Sequence, residues 1–275
     1  MLPVTGKILE RAIAGRLKHL VNNHPLSSQR RYGFRTGRST EDATVELHRV
    51  IRATQDKYAV GLLFDISEAF DNIWWPSILG NLKARGFPKN LYGLVQSYLK
   101  ERRANMIGAE KTIEKDVTKG CPQGSVLGPL FWNLMFDEAI EIAGRGGNEP
   151  IAFADDLIVV VSADLRIGIE TKANSVTGAR TTWCKQQKLQ LSKTKSEMAL
   201  LKGFLDIRRP PTVKIEDKSM KVNTKVRYLR IHFGTRLNVT PHIEFITAKT
   251  RNIFSGFIKL AKAHWGLNTR IIKTM

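Results

Sequence analysis

The chain has 275 residues, 42% of them hydrophobic, and its 44 Lys and Arg against 25 Asp and Glu give a formal net charge of +19. That length and apolar content can bury a sizeable core, which excludes intrinsic disorder of the whole chain. The two cysteines form no CxxC pair, which argues against a disulfide framework or a zinc ribbon and suits a reducing compartment. No apolar run approaches the roughly eighteen residues that a membrane span needs.

The positive charge is distributed unevenly along the chain. Residues 1–60 carry 11 basic and 5 acidic side chains, net +6, and residues 61–150 carry 10 and 11, net −1. Residues 151–275 carry 23 and 9, net +14. An excess of this size is typical of a protein with a polyanion partner, nucleic acid first and an anionic membrane second. A basic surface that serves only solubility is the alternative.

The first hundred residues predict helices around one buried strand. Apolar residues recur at helical spacing in GKILERAIAGRLKHL, and a polar, basic loop follows. Ser39, with Asp42 three residues later, predicts a capping box that opens a helix from about Glu41 to Ala53. The segment YAVGLLFDI predicts a buried strand that ends in the carboxylate of Asp65. Two further helices are predicted, over WPSILGNLKARGF and PKNLYGLVQSYL.

The second part of the chain mixes strands and helices. Residues 102–118 predict a strand pair that ends at the turn-rich GCPQGS, and VLGPLFWNLMFDEAIEIAG predicts a buried helix. IAFADDLIVVV predicts a hairpin with Asp155 and Asp156 at its tip. A long helix over about 164–187 and short strands around EMALL, TVKI and RYLRIHF follow, and the last thirty residues are basic and helix-like. This mixed order favours an α+β fold over a regularly wound parallel sheet.

Asp65, Asp155 and Asp156 are the candidate catalytic acids. Carboxylates at the ends of apolar strands are costly unless a cation meets them, and a divalent ion such as Mg²⁺ suits them better than Lys or Arg. Two such ions about 3.5–4 Å apart can assist an in-line phosphoryl displacement. Successive strand side chains point to opposite faces, so we expect Asp155 as the direct ligand and Asp156 as its support. An ordinary acidic hairpin turn is the alternative.

In this order and at these separations, LLFDISEAFD, GCPQGSVLGPL and FADDLIVV resemble the palm motifs of reverse transcriptases. GKILERAI, YGFRTGRSTEDA, WCKQQKLQLSKTKSEMALL and VRYLRIHFG extend the resemblance to the LINE-type, non-LTR branch and its jockey-like arthropod members, from about Lys7 to His242. The resemblance implies a right-hand polymerase fold with fingers and palm, the palm an antiparallel sheet backed by helices, and only a partial thumb. We expect the N-terminal part of the fingers at 1–57, the palm with inserted fingers segments at 58–235, and the start of a truncated helical thumb at 236–275.

The resemblance implies an RNA-directed DNA polymerase that transfers a nucleotide from a dNTP to a primer 3′-hydroxyl on an RNA template. Asp65, Asp155 and the carbonyl of Ile66 would hold two Mg²⁺ ions, with Mn²⁺ as a possible substitute, and Asp156 would complete the acidic triad. The expected partners are template RNA, primer and target DNA, and dNTPs, with no membrane. Family members prime on chromosomal DNA, so nuclear action is expected, although no targeting signal is evident.

The resemblance also assigns substrate contacts. Phe70 would lie beneath the incoming sugar and exclude a 2′-hydroxyl by clash, with a plain core phenylalanine as the alternative. Gln123 and Gly124 would border the nucleotide, since glycine lets the backbone approach a ligand closely. A turn that merely leads into a helix is the alternative there.

Three basic residues are further candidates. Arg35 and Arg38 are both candidates to clamp the triphosphate, because guanidinium offers two donors to phosphate oxygens, and the sequence does not decide between them. A solvated basic loop is the alternative. Lys195 would stand near the leaving pyrophosphate, with Lys193 as a competing assignment.

The sequence departs from the family pattern in the hairpin that grips the primer. The family has YLG followed within a few residues by Asp, whereas this chain has Arg230 in place of that glycine and Gly234 where the acid is expected. The family's endonuclease domain and longer thumb are not found, so we expect a fragment, or the product of a decayed element, with an intact palm. A catalytically incompetent, truncated nucleic-acid-binding remnant is therefore the alternative function. Related palm polymerases and maturase-like RNA-binding proteins are less favoured.

Overall fold

The computed structural model describes residues 3–107, 112–205 and 210–262. The helices are α1 (Val4–Asn23), α2 (Thr40–Ala53), α3 (Trp75–Ala84), α4 (Lys89–Leu99), α5 (Gly128–Ala143), α6 (Arg166–Gln186) and α7 (Thr240–Lys262). The longer strands are β1 (Tyr58–Phe64), β3 (Arg103–Ile107), β4 (Thr112–Asp116), β5 (Glu149–Phe153), β6 (Asp156–Ala163), β8 (Glu197–Lys202), β12 (Lys225–Tyr228) and β13 (Ile231–Gly234). The shorter ones are β2 (Ile66–Ser67), β7 (Gln190–Leu191), β9 (Lys214–Ile215), β10 (Lys218–Ser219) and β11 (Lys221–Asn223).

Local signals set several of these elements. The Ser39 hydroxyl accepts from the Asp42 N–H at 3.2 Å, and the Ser39 N–H donates to the Asp42 carboxylate at 2.7 Å, so the predicted capping box is confirmed. The helices predicted before residue 190 and the hairpin carrying Asp155 and Asp156 are present, with bounds that shift by a few residues. The helix-like C-terminal stretch is described only as far as Lys262. TVKI is strand only over Lys214–Ile215.

A five-stranded sheet in the order β11-β8-β1-β6-β5 forms the centre of the fold. The pairs β8–β1, β1–β6 and β6–β5 are antiparallel, as expected for a palm, but β11 pairs with β8 in parallel at the edge. The last β1–β6 pair is Phe64 with Leu157, so the next residues in register are Asp65 and Asp156. The sheet therefore brings the ends of β1 and β6 together at one edge.

Both faces of the sheet are covered, which explains the nearly continuous apolar sequence of β1 and β6. Alternate residues, among them Leu62 and Val159, pack toward the helices in a core that includes α1, α3, α4, α5 and α6. The intervening ones, among them Ala59 and Ile158, pack in a second core with residues of α2 and the β12–β13 hairpin. The sheet is thus backed by helices, as expected for a palm.

A buried ion cluster joins the segment after α1 to the helices. The Asp137 carboxylate on α5 lies 3.0 Å from the Arg31 guanidinium and 3.2 Å from that of Arg85, and all three side chains are buried. Tyr32 donates its N–H to the Ala152 carbonyl at 2.7 Å, so this segment runs alongside β5. Burial raises the pKa of Asp137, and the two guanidinium groups oppose that shift.

The expected division at 57 and 235 stays a prediction. Of the proposed thumb, the structure describes α7 as far as Lys262. Residues 263–275 lie outside the described residues, as do 108–111 within the predicted strand pair. Over the ranges that the structure describes, no helix is long and apolar enough to cross a bilayer.

Candidate active site

The three candidate acids lie at the ends of neighbouring strands. Asp65 directly follows β1, Asp155 lies in the β5–β6 turn, and Asp156 is the first residue of β6. Because residues alternate along β6, Asp156 shares a face with Ile158, on the side covered by the β12–β13 hairpin. The negative charge of Asp65 contributes to raising the pKa of both other carboxyls.

The environment disfavours charge on the acidic pair. Burial raises the pKa of Asp155, and the charge of Asp65 adds to the shift. Burial raises the pKa of Asp156 to about 6, with further contributions from Asp155 and Asp65 and a smaller opposing one from Arg227. Carboxylates held together in this way favour a cation between them.

The donor set suits a divalent ion. Asp65 Oδ2 is buried and has no hydrogen-bond partner among the described residues, and the nearest amine, Lys195 Nζ, is 3.8 Å away. An orphaned carboxylate oxygen beside Asp155 and the Ile66 backbone supplies the oxygen ligands that Mg²⁺ prefers. Within the described ranges, no three His, Cys, Asp or Glu side chains are close enough together to form a complete metal site by themselves. Any ion here would need ligands beyond these side chains, such as a backbone carbonyl, water or substrate phosphate.

A cavity of about 510 Å³ opens over these acids. Several predicted site residues line it, namely Asp65, Ile66, Phe70, Gln123, Gly124, Asp155 and Lys195. Asp156, Arg35 and Arg38 are not among its lining residues. The structure therefore brings together two acids, the aromatic ring, the turn and one lysine.

Phe70 forms part of one wall of the cavity. Its ring centroid is 5.9 Å from that of Phe34, in an edge-to-face arrangement, and 5.6 Å from that of Trp132. Edge-to-face and tilted aromatic pairs at these distances are favourable, so the ring has little freedom to move aside. Phe70 is thus both a packed residue and a cavity-lining one, and Phe34 is a wall residue that sequence reasoning missed.

The hairpin turn that carries Asp155 is held by its neighbours. Ala154 has a left-handed φ of 56°, and its carbonyl accepts a hydrogen bond from the Trp132 indole at 2.9 Å. A Cβ on Gly33 would lie 2.0 Å from the Ala154 nitrogen, so only glycine allows this approach. In the sequence, only the glycine of YGF could have indicated this close approach.

Arg35 and Arg38 make contacts outside the cavity. The Arg35 guanidinium donates to the Ser28 carbonyl at 3.1 Å and to the Gln29 side chain at 3.0 Å. The Arg38 guanidinium lies 4.9 Å from the centroid of the Tyr32 ring. Their assignment to the triphosphate stays a prediction. Lys193, the competitor of Lys195, forms ion pairs with Glu216 and Asp217 instead.

The GCPQGS turn is anchored at both ends. The Gly120 N–H donates to the Ile73 carbonyl at 2.8 Å and the Cys121 N–H to the Phe70 carbonyl at 2.9 Å. At the other end, Ser125 and the Val126 N–H donate to buried Glu10, a contact that sequence reasoning missed. Burial raises the pKa of the Cys121 thiol to about 12, which disfavours the thiolate form that a nucleophile needs.

The sequence and the fold both match known proteins. Residues 1–233 match the family model described as "Reverse transcriptase (RNA-dependent DNA polymerase)". The chain is 32% identical over 270 residues to the Retrovirus-related Pol polyprotein from type-1 retrotransposable element R1 of Bradysia coprophila, a match covering 98% of this chain and 27% of that protein. It is 28% identical over 283 residues to the RNA-directed DNA polymerase from mobile element jockey of Drosophila melanogaster, covering 96% and 29%. The chain thus spans little more than a quarter of the length of these relatives.

A solved structure shares the fold at low sequence identity. The apo telomerase from Candida tropicalis, truncated from its C-terminal domain, superposes with a TM-score of 0.58 at 11% identity, covering 85% of this chain and 44% of that one. At that identity the likeness concerns the fold alone, which is a polymerase fold of mixed helix and sheet.

Proposed function

The chain belongs to the reverse transcriptase (RNA-dependent DNA polymerase) family, and from that premise we propose that it carries out RNA-templated DNA synthesis for a non-LTR retrotransposon. The observation that carries the proposal is that Asp65, Asp155, Phe70, Gln123 and Lys195 line the same cavity. Its proposed partners are template RNA, primer and target DNA, and dNTPs. Its proposed place of action is the nucleus.

The acids are proposed to organise the reaction. Reverse transcriptases as a family use divalent metal ions, and here two Mg²⁺ ions would be held by Asp65, Asp155 and the Ile66 carbonyl. When bound, the ions stabilise charge on the attacking and leaving oxygens of the phosphoryl transfer. Asp156, which does not line the cavity, would add to the negative potential that draws cations to Asp65 and Asp155. The primer 3′-hydroxyl attacks the α-phosphorus of the dNTP, and pyrophosphate leaves.

The remaining wall residues orient the nucleotide. Phe70, packed against Phe34 and Trp132, is proposed to lie beneath the sugar, where its limited freedom would make a 2′-hydroxyl clash. Gln123 contacts the nucleotide from the turn. Lys195, whose side chain is 72% exposed beside Asp65, offsets the charge of the leaving pyrophosphate. These roles combine positioning with charge stabilisation, the main sources of catalysis in phosphoryl transfer.

Primer extension on poly(rA)/oligo(dT) with Mg²⁺ tests the proposal, with the isosteric variant Asp155→Asn as a matched control. We expect the wild type to extend the primer and the variant to lose more than about 100-fold of that activity. Mutation of a residue that only hydrogen-bonds to a metal ligand already lowers metal affinity or activity about 10–100-fold. A filter-binding measurement on the same hybrid runs in parallel. Equal extension by both proteins would overturn the role of Asp155.

The second candidate function is nucleic-acid binding without turnover. The observation that favours it is the strained hairpin between β12 and β13, where Leu229 and Arg230 both have positive φ, at the position of the primer-gripping motif. If the wild type and Asp155→Asn both bind the hybrid and neither extends the primer, the results favour this second function. Absence of binding by both would reject the two functions together.

A further inference from the structure

Helix α1 carries one acidic residue, Glu10, and its side chain is completely buried. The neighbouring buried residues of the helix are apolar, among them Ile13 and Leu17. A carboxylate in such surroundings is costly unless hydrogen-bond donors compensate it. The Glu10 carboxylate therefore requires hydrogen-bond donors from outside α1.

Three donors converge on the Glu10 carboxylate. The Tyr98 hydroxyl, from α4, donates to Oε1 at 2.5 Å, and the Ser125 hydroxyl donates to the same oxygen at 2.7 Å. The Val126 N–H donates to Oε2 at 2.7 Å. Hydrogen bonds to an ionised acceptor are the short and strong kind. Two of the three donors belong to the end of the GCPQGS turn, so Glu10 is the anchor of that end.

The other end of the turn is anchored at the cavity wall. The Cys121 N–H donates to the carbonyl of Phe70, as described above. Gln123 and Gly124 lie between the two anchors and line the cavity, and Gly124 has a left-handed φ of 77°. Ser125 Oγ also accepts from the Gly128 N–H at 3.0 Å, at the first turn of α5. The position of Gln123 is therefore set from Phe70 on one side and from Glu10 on the other.

We propose that Glu10 is a positioning residue for the incoming nucleotide, acting through Ser125 and Val126 on the turn that carries Gln123. The inference rests on the proposed function, because only a nucleotide-binding cavity gives this anchor a consequence for the reaction. Without the carboxylate, the Ser125 end of the turn would be released while Asp65 and Asp155 keep their strand-end positions. The affinity for the nucleotide then falls more than the rate of its incorporation.

Three variants of the full chain test the proposal. Glu10→Met keeps the length of the side chain and removes both acceptors. Glu10→Gln is the conservative variant, because its amide oxygen can accept from Val126 while its amide nitrogen donates to the two hydroxyl oxygens. Tyr98→Phe is the matched control, since it removes the α4 donor and leaves both bonds to the turn. Each variant is compared for KM and kcat in primer extension and for hydrogen exchange of residues 119–127.

The expected results separate the turn from general stability. In Glu10→Met a buried N–H has lost its acceptor, so the KM for dNTP is expected to rise about tenfold and hydrogen exchange of residues 119–127 to accelerate. The kcat should change less than about twofold. Glu10→Gln and Tyr98→Phe keep KM within about twofold of the wild type. An equal rise of KM in Tyr98→Phe, or an unchanged KM and exchange in folded Glu10→Met, would overturn the proposal.

Two further outcomes are distinguishable. If Glu10→Met does not fold, Ser125→Ala removes one turn donor and is expected to raise KM about threefold. An unchanged KM in that variant would count against the proposal. If the wild type does not extend primers, the proposed function fails. The role of Glu10 is still tested, because faster hydrogen exchange of residues 119–127 in Glu10→Met than in Tyr98→Phe would show that Glu10 anchors the turn.

Discussion

The turn between β12 and β13 contains two residues whose backbone conformation L-amino acids rarely adopt. Tyr228 pairs with Ile231, so Leu229 and Arg230 alone form the turn, with φ of 47° and 67°. Two-residue hairpins of this kind favour Asn-Gly or Gly-Gly, because each other residue costs roughly 1–2 kcal/mol in the left-handed region. The arginine that replaces the family's glycine therefore adopts a left-handed conformation in this turn.

Substitution of Arg230 by glycine should stabilise the protein. In Arg230→Gly the free energy of unfolding is expected to rise by about 0.5–1 kcal/mol, because the relief of strain exceeds the added entropy of glycine in the unfolded chain. Urea denaturation measures the change. Arg52→Gly, in exposed helical conformation at the end of α2, is the control and should lose about 1 kcal/mol. A loss in Arg230→Gly would mean that the arginine side chain contributes more than its backbone costs.

At the scale of elements, Asp137 connects α5, the end of α3 and the segment that runs alongside β5. The Arg85 guanidinium also donates to the Leu134 carbonyl at 2.7 Å, and that of Arg31 to the Ser27 hydroxyl at 2.9 Å. Two residues after Arg31, Gly33 contacts the turn that carries Asp155. The ion cluster therefore holds the backbone that contacts the turn carrying Asp155.

Removal of the charge of Asp137 should be strongly destabilising. Asp137→Asn leaves two buried guanidinium groups without a carboxylate, and breaking a buried pair in this way costs about 3–5 kcal/mol. The control is Glu114→Gln, which removes an ion pair 3.5 Å long between side chains 60% and 50% exposed and should cost less than about 1 kcal/mol. Both are measured by denaturant unfolding, and similar small losses in the two variants would contradict the assigned role of the cluster.

What the sequence predicts about these elements depends on the range of the interactions that form them. The capping pair Ser39 and Asp42 predicts α2 because its hydrogen bonds span three residues, and ADD between two apolar runs predicts the hairpin tip. The donors to Glu10 are 88 to 116 residues away, so no local pattern distinguishes it from an exposed helix acid. Asp137 likewise resembles a solvated residue in DEAIE. Hydrophobic periodicity therefore cannot predict which acidic residues are buried, because their hydrogen-bond and ion-pair partners are distant in the sequence.

At the scale of the whole molecule, a chain with a net charge of +19 contains an acidic candidate site. Asp65, Phe70 and Gln123 belong to the block of net charge −1, whereas the flanking blocks carry +6 and +14. Basic flanks attract a nucleic acid backbone, yet phosphates and carboxylates repel one another where the acids converge. Under the proposed function, divalent ions would offset this repulsion, so binding and catalysis should depend on different groups.

Binding to an RNA–DNA hybrid should therefore weaken steeply with salt, whether or not the acidic site is intact. If the basic flanks neutralise six to ten phosphates, the affinity falls about 10³–10⁵-fold between 50 and 200 mM salt, because condensed counterions are released on binding. Fluorescence anisotropy in the presence of EDTA measures the slope of log Kd against log salt. Asp155→Asn is the control and should show the same slope, since it removes no cation. A change of less than about tenfold over that range would mean that the positive charge serves solubility rather than a nucleic acid partner.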